Sequence, residues 1–193
     1  ILMILTRTPF RISFAGGGTD INIFYKNNKF GRVLSSTIDK YLYVMVKKLP
    51  SFVEHKYRIN WSKTEFVNSI NKIKNPIARE ALKYFKIDYP LEITTISEIP
   101  AQTGLGSSSA FAVGLVNAIC GLLNKKVSKK YIAKTANIIE SKVKNRTVGK
   151  QDHYCSAYGN LNKFNFYENG SVKKLPVIKN KRKLKKIEEN ILL

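Results

Sequence analysis

Apolar and polar positions alternate at the start of the chain. Phe10, Ile12 and Phe14 are interleaved with Arg11 and Ser13, the two-residue period of a half-buried strand from Arg7 to Ala15, and Ile1 to Leu5 reads as a strand leading into it. Gly16, Gly17 and Gly18 then allow a backbone path closed to other residues and deliver Thr19 and Asp20 at the strand's end. Ile21 to Tyr25 is expected as a short turn or helix. Val33 to Leu49 reads as a strong strand, Tyr41, Tyr43 and Met45 alternating with Leu42, Val44 and Val46 before the charged stop at Lys47 and Lys48. Tyr57, Ile59 and Trp61 share one face of a further short strand, with Trp61 expected in the core.

From Phe66 to Phe85 the period changes. Val67, Ile70, Ile73, Ile77, Leu82 and Phe85 are spaced as on a helix, and Pro76, with Asn75 as N-cap, predicts two helices there. Leu91 to Ile99 reads as a strand feeding a loop of small residues, Thr103 to Ser109. A helix follows that is apolar on almost every side (Phe111, Val113, Leu115, Val116, Ile119, Leu122 and Leu123) and is therefore buried, ending at Asn124. Ser128 can cap another helix through Lys142, with Tyr131, Ile132, Ala136 and Ile139 inward and Glu140 near its end. Asn145 to Lys150 reads as a loop, Gln151 to Gly159 as a helix, and Phe164, Phe166, Glu168-Asn169-Gly170 and Val172 as a hairpin with an Asn-Gly turn. Strands first, then helices, then a hairpin predicts an α+β fold.

A chain of 193 residues holds one sizeable core or two small ones. The net charge of +21 raises nucleic-acid binding as a function. Its lysines are scattered from Lys26 to Lys186, however, and the dense run (Lys179, Lys181, Arg182, Lys183, Lys185, Lys186) reads as a solvated face. Acids placed beside glycine loops, Asp20 and Asp152, would repel a phosphodiester backbone, so nucleic acid is not the expected partner. Cys120 and Cys155 have neither CxxC nor Cys/His spacing, which argues against zinc and disulfides. The apolar start is too short for a signal segment or a membrane span. A soluble cytoplasmic protein without membrane association is expected. An opening on Ile1 and a close on Ile191-Leu192-Leu193, read as mid-strand, lead us to expect a piece of a longer protein.

The loop from Thr103 to Ser109 is where chemistry enters. Several backbone N–H groups converge at a helix N-terminus, where the macrodipole is positive. Gly104 and Gly106 let an anion approach the backbone, and Ser107, Ser108 and Ser109 add hydroxyls able to cap the helix, bind phosphate or reach a metal. A Walker loop would have Lys after its last glycine; a dinucleotide fingerprint would have glycine where Ser109 stands. An ordinary capped core helix is the alternative to an anion site.

The stretch from Pro100, PAQTGLGSS, resembles the phosphate-binding motif of the GHMP small-molecule kinases, and two further stretches match that family in order. TPFRISFAGGGTD is similar to the family's opening motif; the resemblance places its active-site arginine on Arg11 and its sugar-binding carboxylate on Asp20, with Gly17, Gly18 and Thr19 lining the substrate. Gly17 and Gly18 replace the Glu-His pair of galactokinases and look like sugar kinases acting on heptose 7-phosphate or fucose. VGKQDHYCSAYGN resembles the segment holding the catalytic aspartate, here Asp152, and Glu140 falls near the family's magnesium-binding glutamate. FAGGGTD and GKQD together resemble the kinases that phosphorylate the anomeric hydroxyl of D-glycero-D-manno-heptose 7-phosphate for surface polysaccharide. The implied fold is the GHMP N-terminal domain over residues 1–193, a mixed or antiparallel sheet packed against helices and related to a ribosomal-protein domain, with the C-terminal domain and its glycine-rich motif outside this sequence. Implied ligands are ATP on Thr103, Gly104, Leu105, Gly106, Ser107, Ser108 and Ser109, Mg²⁺ on Ser108 and Glu140, and a sugar phosphate; a homodimer is admitted. Lys150 is read as the cation for the sugar's phosphate or as a solvated loop lysine, Asp20 as sugar ligand or turn closure, and Glu140 as metal ligand or exposed acid paired to Lys144. Trp61 has a second reading, in the adenine pocket. His153 reads as a helix-face or core histidine, and His55 lies in a charged loop.

Overall fold

The computed structural model describes residues 3–143 and 147–177, with Arg182, Lys185, Lys186, Glu189 and Asn190. Lys144, residues 191–193 and part of the basic run (Lys179, Lys181, Lys183) lie outside the described residues. The 19-residue strand β2 (Phe30–Lys48) carries the sheet. Strand β1 (Met3–Ala15) runs antiparallel along one edge; the other is shared by β5 (Leu91–Ser97) against Leu42–Lys48 and β6 (Asn162–Tyr167) against Phe30–Ser35. β3 (Tyr57–Asn60) pairs parallel with β5, while β4 (Thr64–Val67) and β7 (Val172–Pro176) close the two ends antiparallel. The sheet is mixed and seven-stranded, and the fold is α+β, as the pattern predicts.

β2 serves two cores. Its buried positions are Gly31, Val33 and Ser35 in one half and Leu42, Val44 and Val46 in the other. Their parity changes across the segment where the register with β1 jumps from Pro9 opposite Tyr41 to Arg11 opposite Thr37. Leu42, Val44 and Val46 pack with α2 (Pro76–Phe85), α3 (Ser107–Leu122) and α4 (Lys129–Ser141); Val33 packs with Tyr25, Tyr154, Cys155, Phe164 and Phe166 around α1 (Asn22–Asn27) and α5 (Gln151–Tyr158). Helix α3 lies directly on the sheet, where Thr6 Oγ1 donates to the Gly114 carbonyl at 3.0 Å. Each large side chain so buried is worth about 1.5–3 kcal/mol, so the loop ahead of α3 rests on a rigid base. Asn75 caps α2 through Ala78 N at 3.0 Å and Ser128 caps α4 through Tyr131 N at 3.1 Å, as their positions predict.

The helix expected after Phe66 is not formed. Thr64–Val67 is a strand and Ile70–Lys72 a single 3₁₀ turn. Glu65 decides this: its buried carboxylate accepts from Lys74 N (2.5 Å), Asn75 N (3.0 Å) and Trp61 Nε1 (2.8 Å), gathering the segment into a compact turn. Trp61 is thereby held at the surface, 40% exposed, and is not a core tryptophan; Tyr131, at 38%, is likewise not on the inner face of α4. His55 packs against Phe66 with ring centroids 5.3 Å apart.

Candidate active site

Gly106, at φ +80°, is the N-cap of α3, and no side-chain hydrogen bond caps the helix there. Two of the three serine hydroxyls are turned elsewhere: Ser108 Oγ donates to Glu140 Oε1 at 2.7 Å and Ser109 Oγ to Glu140 Oε2 at 2.8 Å. The N–H groups of the first helical turn therefore keep the positive end of the dipole for another acceptor. The carbonyls ahead of them are tied back to β1. Arg11 N donates to Leu105 O at 3.2 Å and Arg11 Nη1 to Gly104 O at 2.7 Å, and a Cβ on Gly106 would sit only 3.3–3.4 Å from the Arg11 side chain. Thr103, at the exposed tip, donates to Pro100 O at 3.4 Å.

The same arginine reaches α5. Arg11 Nε donates to Asp152 Oδ1 at 2.6 Å and Nη2 to Asp152 Oδ2 at 2.7 Å, the forked geometry of a strong charge-assisted pair. Asp20 enters from the turn after β1, 2% exposed, its Oδ2 accepting the Gln151 amide at 2.8 Å. Burial pushes the Asp20 carboxyl above its ordinary range against the pull of that amide, and the neighbouring Asp152 adds like charge. Gly149 passes so close that a Cβ there would run into the Asp20 carboxylate. Asp20, Ser108, Glu140, Gly149 and Asp152 all line one cavity of about 240 Å³.

Glu140 is the floor of this cavity. It is 2% exposed, so the reading as an exposed helix acid fails. Besides the two serines, it faces His153 Nε2 at 2.8 Å. Burial pushes its carboxyl up, but the hydrogen bond from His153 and those from Ser108 and Ser109 outweigh this and bring it down to about 2.

A buried helix head without a side-chain cap, a forked Arg–Asp pair against it and a second carboxylate across the cavity meet at this site. Residues 70–160 match the model of the GHMP kinases N terminal domain. Over those residues the chain carries a GHMP kinase N-terminal domain. It is 32% identical over 178 residues to the D-glycero-alpha-D-manno-heptose 7-phosphate kinase of Campylobacter jejuni, covering 88% of this chain and 52% of that protein. A galactokinase of Thermotoga petrophila is 27% identical over 157 residues, 79% of this chain and 43% of the relative. The fold matches a crystal structure of a D-glycero-D-manno-heptose 1-phosphate kinase from Bacteroides thetaiotaomicron with a TM-score of 0.80 at 24% identity, over 94% of this chain and 61% of that one. The chain spans about half the length of the curated relatives it matches.

Of the residues expected in a site, Asp20, Ser108, Glu140 and Asp152 line one cavity with Gly18, and Arg11 joins them through Asp152. Thr19 is different: its hydroxyl donates to the carbonyls of Gly16 (2.8 Å) and Arg32 (2.9 Å) and accepts from Arg32 N (3.0 Å), locking the glycine turn onto β2. Ser109, 4% exposed, points its hydroxyl inward to Glu140, leaving its backbone as the part that can meet a phosphate. Lys150 faces an adjoining cavity of about 580 Å³ that shares Asp20 and Val148 with the first and also holds Lys26. Its ammonium donates to Gly170 O at 2.7 Å and lies 4.7 Å from the Tyr25 ring centroid. Burial pushes Lys150 down from its ordinary range, and Lys134 and Lys26 push the same way.

Neighbouring ligands of an octahedral magnesium ion lie roughly 2.9 Å apart, given metal–oxygen distances of about 2.0–2.1 Å. Ser108 Oγ and Glu140 Oε1, at 2.7 Å, fit that edge. Among the described residues no group of three or more His, Cys, Asp or Glu side chains is placed to hold a metal. Asn137, Gly149 and the role of His153 are not apparent from the sequence. Asn137 stands three residues before Glu140 on α4, on the same helical face, and that spacing is the one signal for it.

Proposed function

We propose that this chain is the nucleotide-binding half of an ATP-dependent sugar-phosphate kinase, and that the acceptor is the anomeric hydroxyl of D-glycero-D-manno-heptose 7-phosphate, giving the 1,7-bisphosphate used to build nucleotide-activated heptose for surface polysaccharide. The observation carrying this reading is Arg11, which clasps Asp152 with one part of its guanidinium and the Gly104 carbonyl with another. A carboxylate is thus fixed beside the loop that would hold the terminal phosphates. The backbone from Thr103 to Ser109 would bind the β- and γ-phosphates, and Ser108 with Glu140 would hold Mg²⁺, which neutralises phosphate charge when bound. Asp152 would accept the proton of the attacking hydroxyl, and Arg11 adds positive charge where the transferred group's charge accumulates. Asp20 would take sugar hydroxyls, and Lys150, with Lys26 in the same cavity, the distant phosphate. Alignment supplies most of the rate for this chemistry.

Heptose 7-phosphate as acceptor is supported by the 32% identity to the Campylobacter enzyme together with the lysines of the adjoining cavity. The test is phosphoryl transfer measured with a coupled assay of the full-length protein against heptose 7-phosphate, galactose, fucose and mevalonate. Turnover on heptose 7-phosphate is expected, with Lys150→Ala raising KM for it and leaving KM for ATP unchanged. Preference for an unphosphorylated sugar would make this a galactokinase- or fucokinase-like enzyme instead. The charge of +21 keeps a nucleic-acid-binding module as the rival from another class; steeply salt-dependent duplex or RNA binding with no thermal shift from Mg²⁺ and ATP would favour it.

A further inference from the structure

We infer that His153 is a positioning residue for Glu140, setting the orientation in which that carboxylate meets the nucleotide's metal ion. The hydrogen-bond pattern fixes its tautomer. Asn137 Nδ2 donates to the Gly149 carbonyl at 2.9 Å, and because a carbonyl only accepts, the nitrogen end of that amide is determined. The same Nδ2 faces His153 Nδ1 at 3.4 Å, so Nδ1 accepts and Nε2 carries the proton toward Glu140 Oε2, 2.8 Å away. Both side chains are sealed from solvent, at 0% and 2% exposure. Ser108 and Ser109 belong to α3, Glu140 and Asn137 to α4, and His153 to α5, so these three donors to the carboxylate come from two other helices. With His153 on Oε2, Oε1 is kept toward Ser108 Oγ and the cavity. Without it, Oε2 loses a donor that comes from α5, Ser109 being another on the same oxygen, and the carboxylate plane is held less firmly with Oε1 toward the edge that the ion would use. Through Asn137 and Gly149, this support is also joined to the loop packed on Asp20.

The inference rests on the kinase reading, and its test reads binding rather than turnover. Isothermal titration calorimetry of the full chain would compare Mg²⁺·ATP with ATP in EDTA for the parent, His153→Leu and His153→Gln. Partners that orient a metal's ligand typically change its affinity by about 10–100-fold, so His153→Leu is expected to weaken Mg²⁺·ATP by that factor and leave metal-free ATP unchanged. His153→Gln, whose amide N–H can reach Oε2, should recover most of the loss. Parent-like affinity in His153→Leu, or equal losses in the two variants, overturns the inference. Should the leucine variant fail to fold, Asn137→Ser removes the donor that fixes the tautomer and is expected to show the same metal-selective weakening; parent-like Mg²⁺·ATP affinity there overturns it too. A parent that binds no Mg²⁺·ATP would instead bring down the kinase reading itself.

Discussion

Arg11 and Asp152, 141 positions apart in the chain, are joined by two parallel hydrogen bonds of 2.6 and 2.7 Å. The pair brings the end of β1 against the first turn of α5 and leaves the carboxylate on the wall of the cavity that Ser108 and Glu140 also line. Removing a positioned base costs about 10²–10⁴-fold in rate. Asp152→Asn is therefore expected to lower kcat by that factor while Mg²⁺·ATP affinity, measured by calorimetry, stays within experimental spread. A near-normal kcat in the full-length enzyme would reject Asp152 as the base.

Arg11 also restrains the phosphate loop, through its side chain on Gly104 and its amide on Leu105. Lysine retains the charge but cannot fork between a carboxylate and a carbonyl. Hydrogen bonds to charged groups contribute about 1.5–3 kcal/mol, so Arg11→Lys should lose roughly 10–100-fold in kcat/KM for ATP, with KM rising as well as kcat falling. A loss confined to kcat would mean that the guanidinium serves Asp152 alone and the loop stands without it.

The parts of this molecule that could be read in advance are those whose cause is local. Alternation in β1 and β2, the Asn75 and Ser128 caps, and the glycine-serine loop each depend on residues within a few positions of one another, and each is where the pattern puts it. The misread segment, Phe66 to Ile73, has helical spacing for another reason: Val67, Ile70 and Ile73 meet the core from a strand end and a single turn gathered on the Glu65 carboxylate. The same carboxylate draws Trp61 to the surface. In the site, Arg11, Asp20, Ser108 and Asp152 follow from motifs. The His153–Glu140 contact joins two helices across a loop, and nothing in either helix's periodicity announces it.

Gly149 belongs to that second class. Its position before Lys150-Gln151-Asp152 looks like an ordinary loop glycine, yet a methyl group there would meet the Asp20 carboxylate. Overpacking of this kind costs about 1–3 kcal/mol, and for a chain of this length each kcal/mol lowers Tm by about 2–4 °C. Gly149→Ala should show that drop by calorimetry, with KM for the sugar raised and Mg²⁺·ATP affinity retained, because Asp20 and not the phosphate loop is displaced. An unshifted Tm with unchanged sugar KM would show that the loop yields at no cost.

Glu140 gives the fold a defined acid sensitivity. Its carboxyl lies at about 2 in the folded chain against an ordinary value of 4.5. Lowered on folding, the group stabilises the native state fully above pH 4.5, and that contribution drains away as pH falls toward 2. At neutral pH it is worth on the order of a few kcal/mol, part of which belongs to the serine and histidine donors that would otherwise be left unmatched. Urea unfolding of the parent and Glu140→Gln at pH 7, 4.5 and 3 separates the two: the parent should be the more stable at pH 7, with the gap just starting to close at 4.5 and clearly narrower at 3. A gap that stays constant down to pH 3 would place the stabilisation in packing around the side chain rather than in its charge.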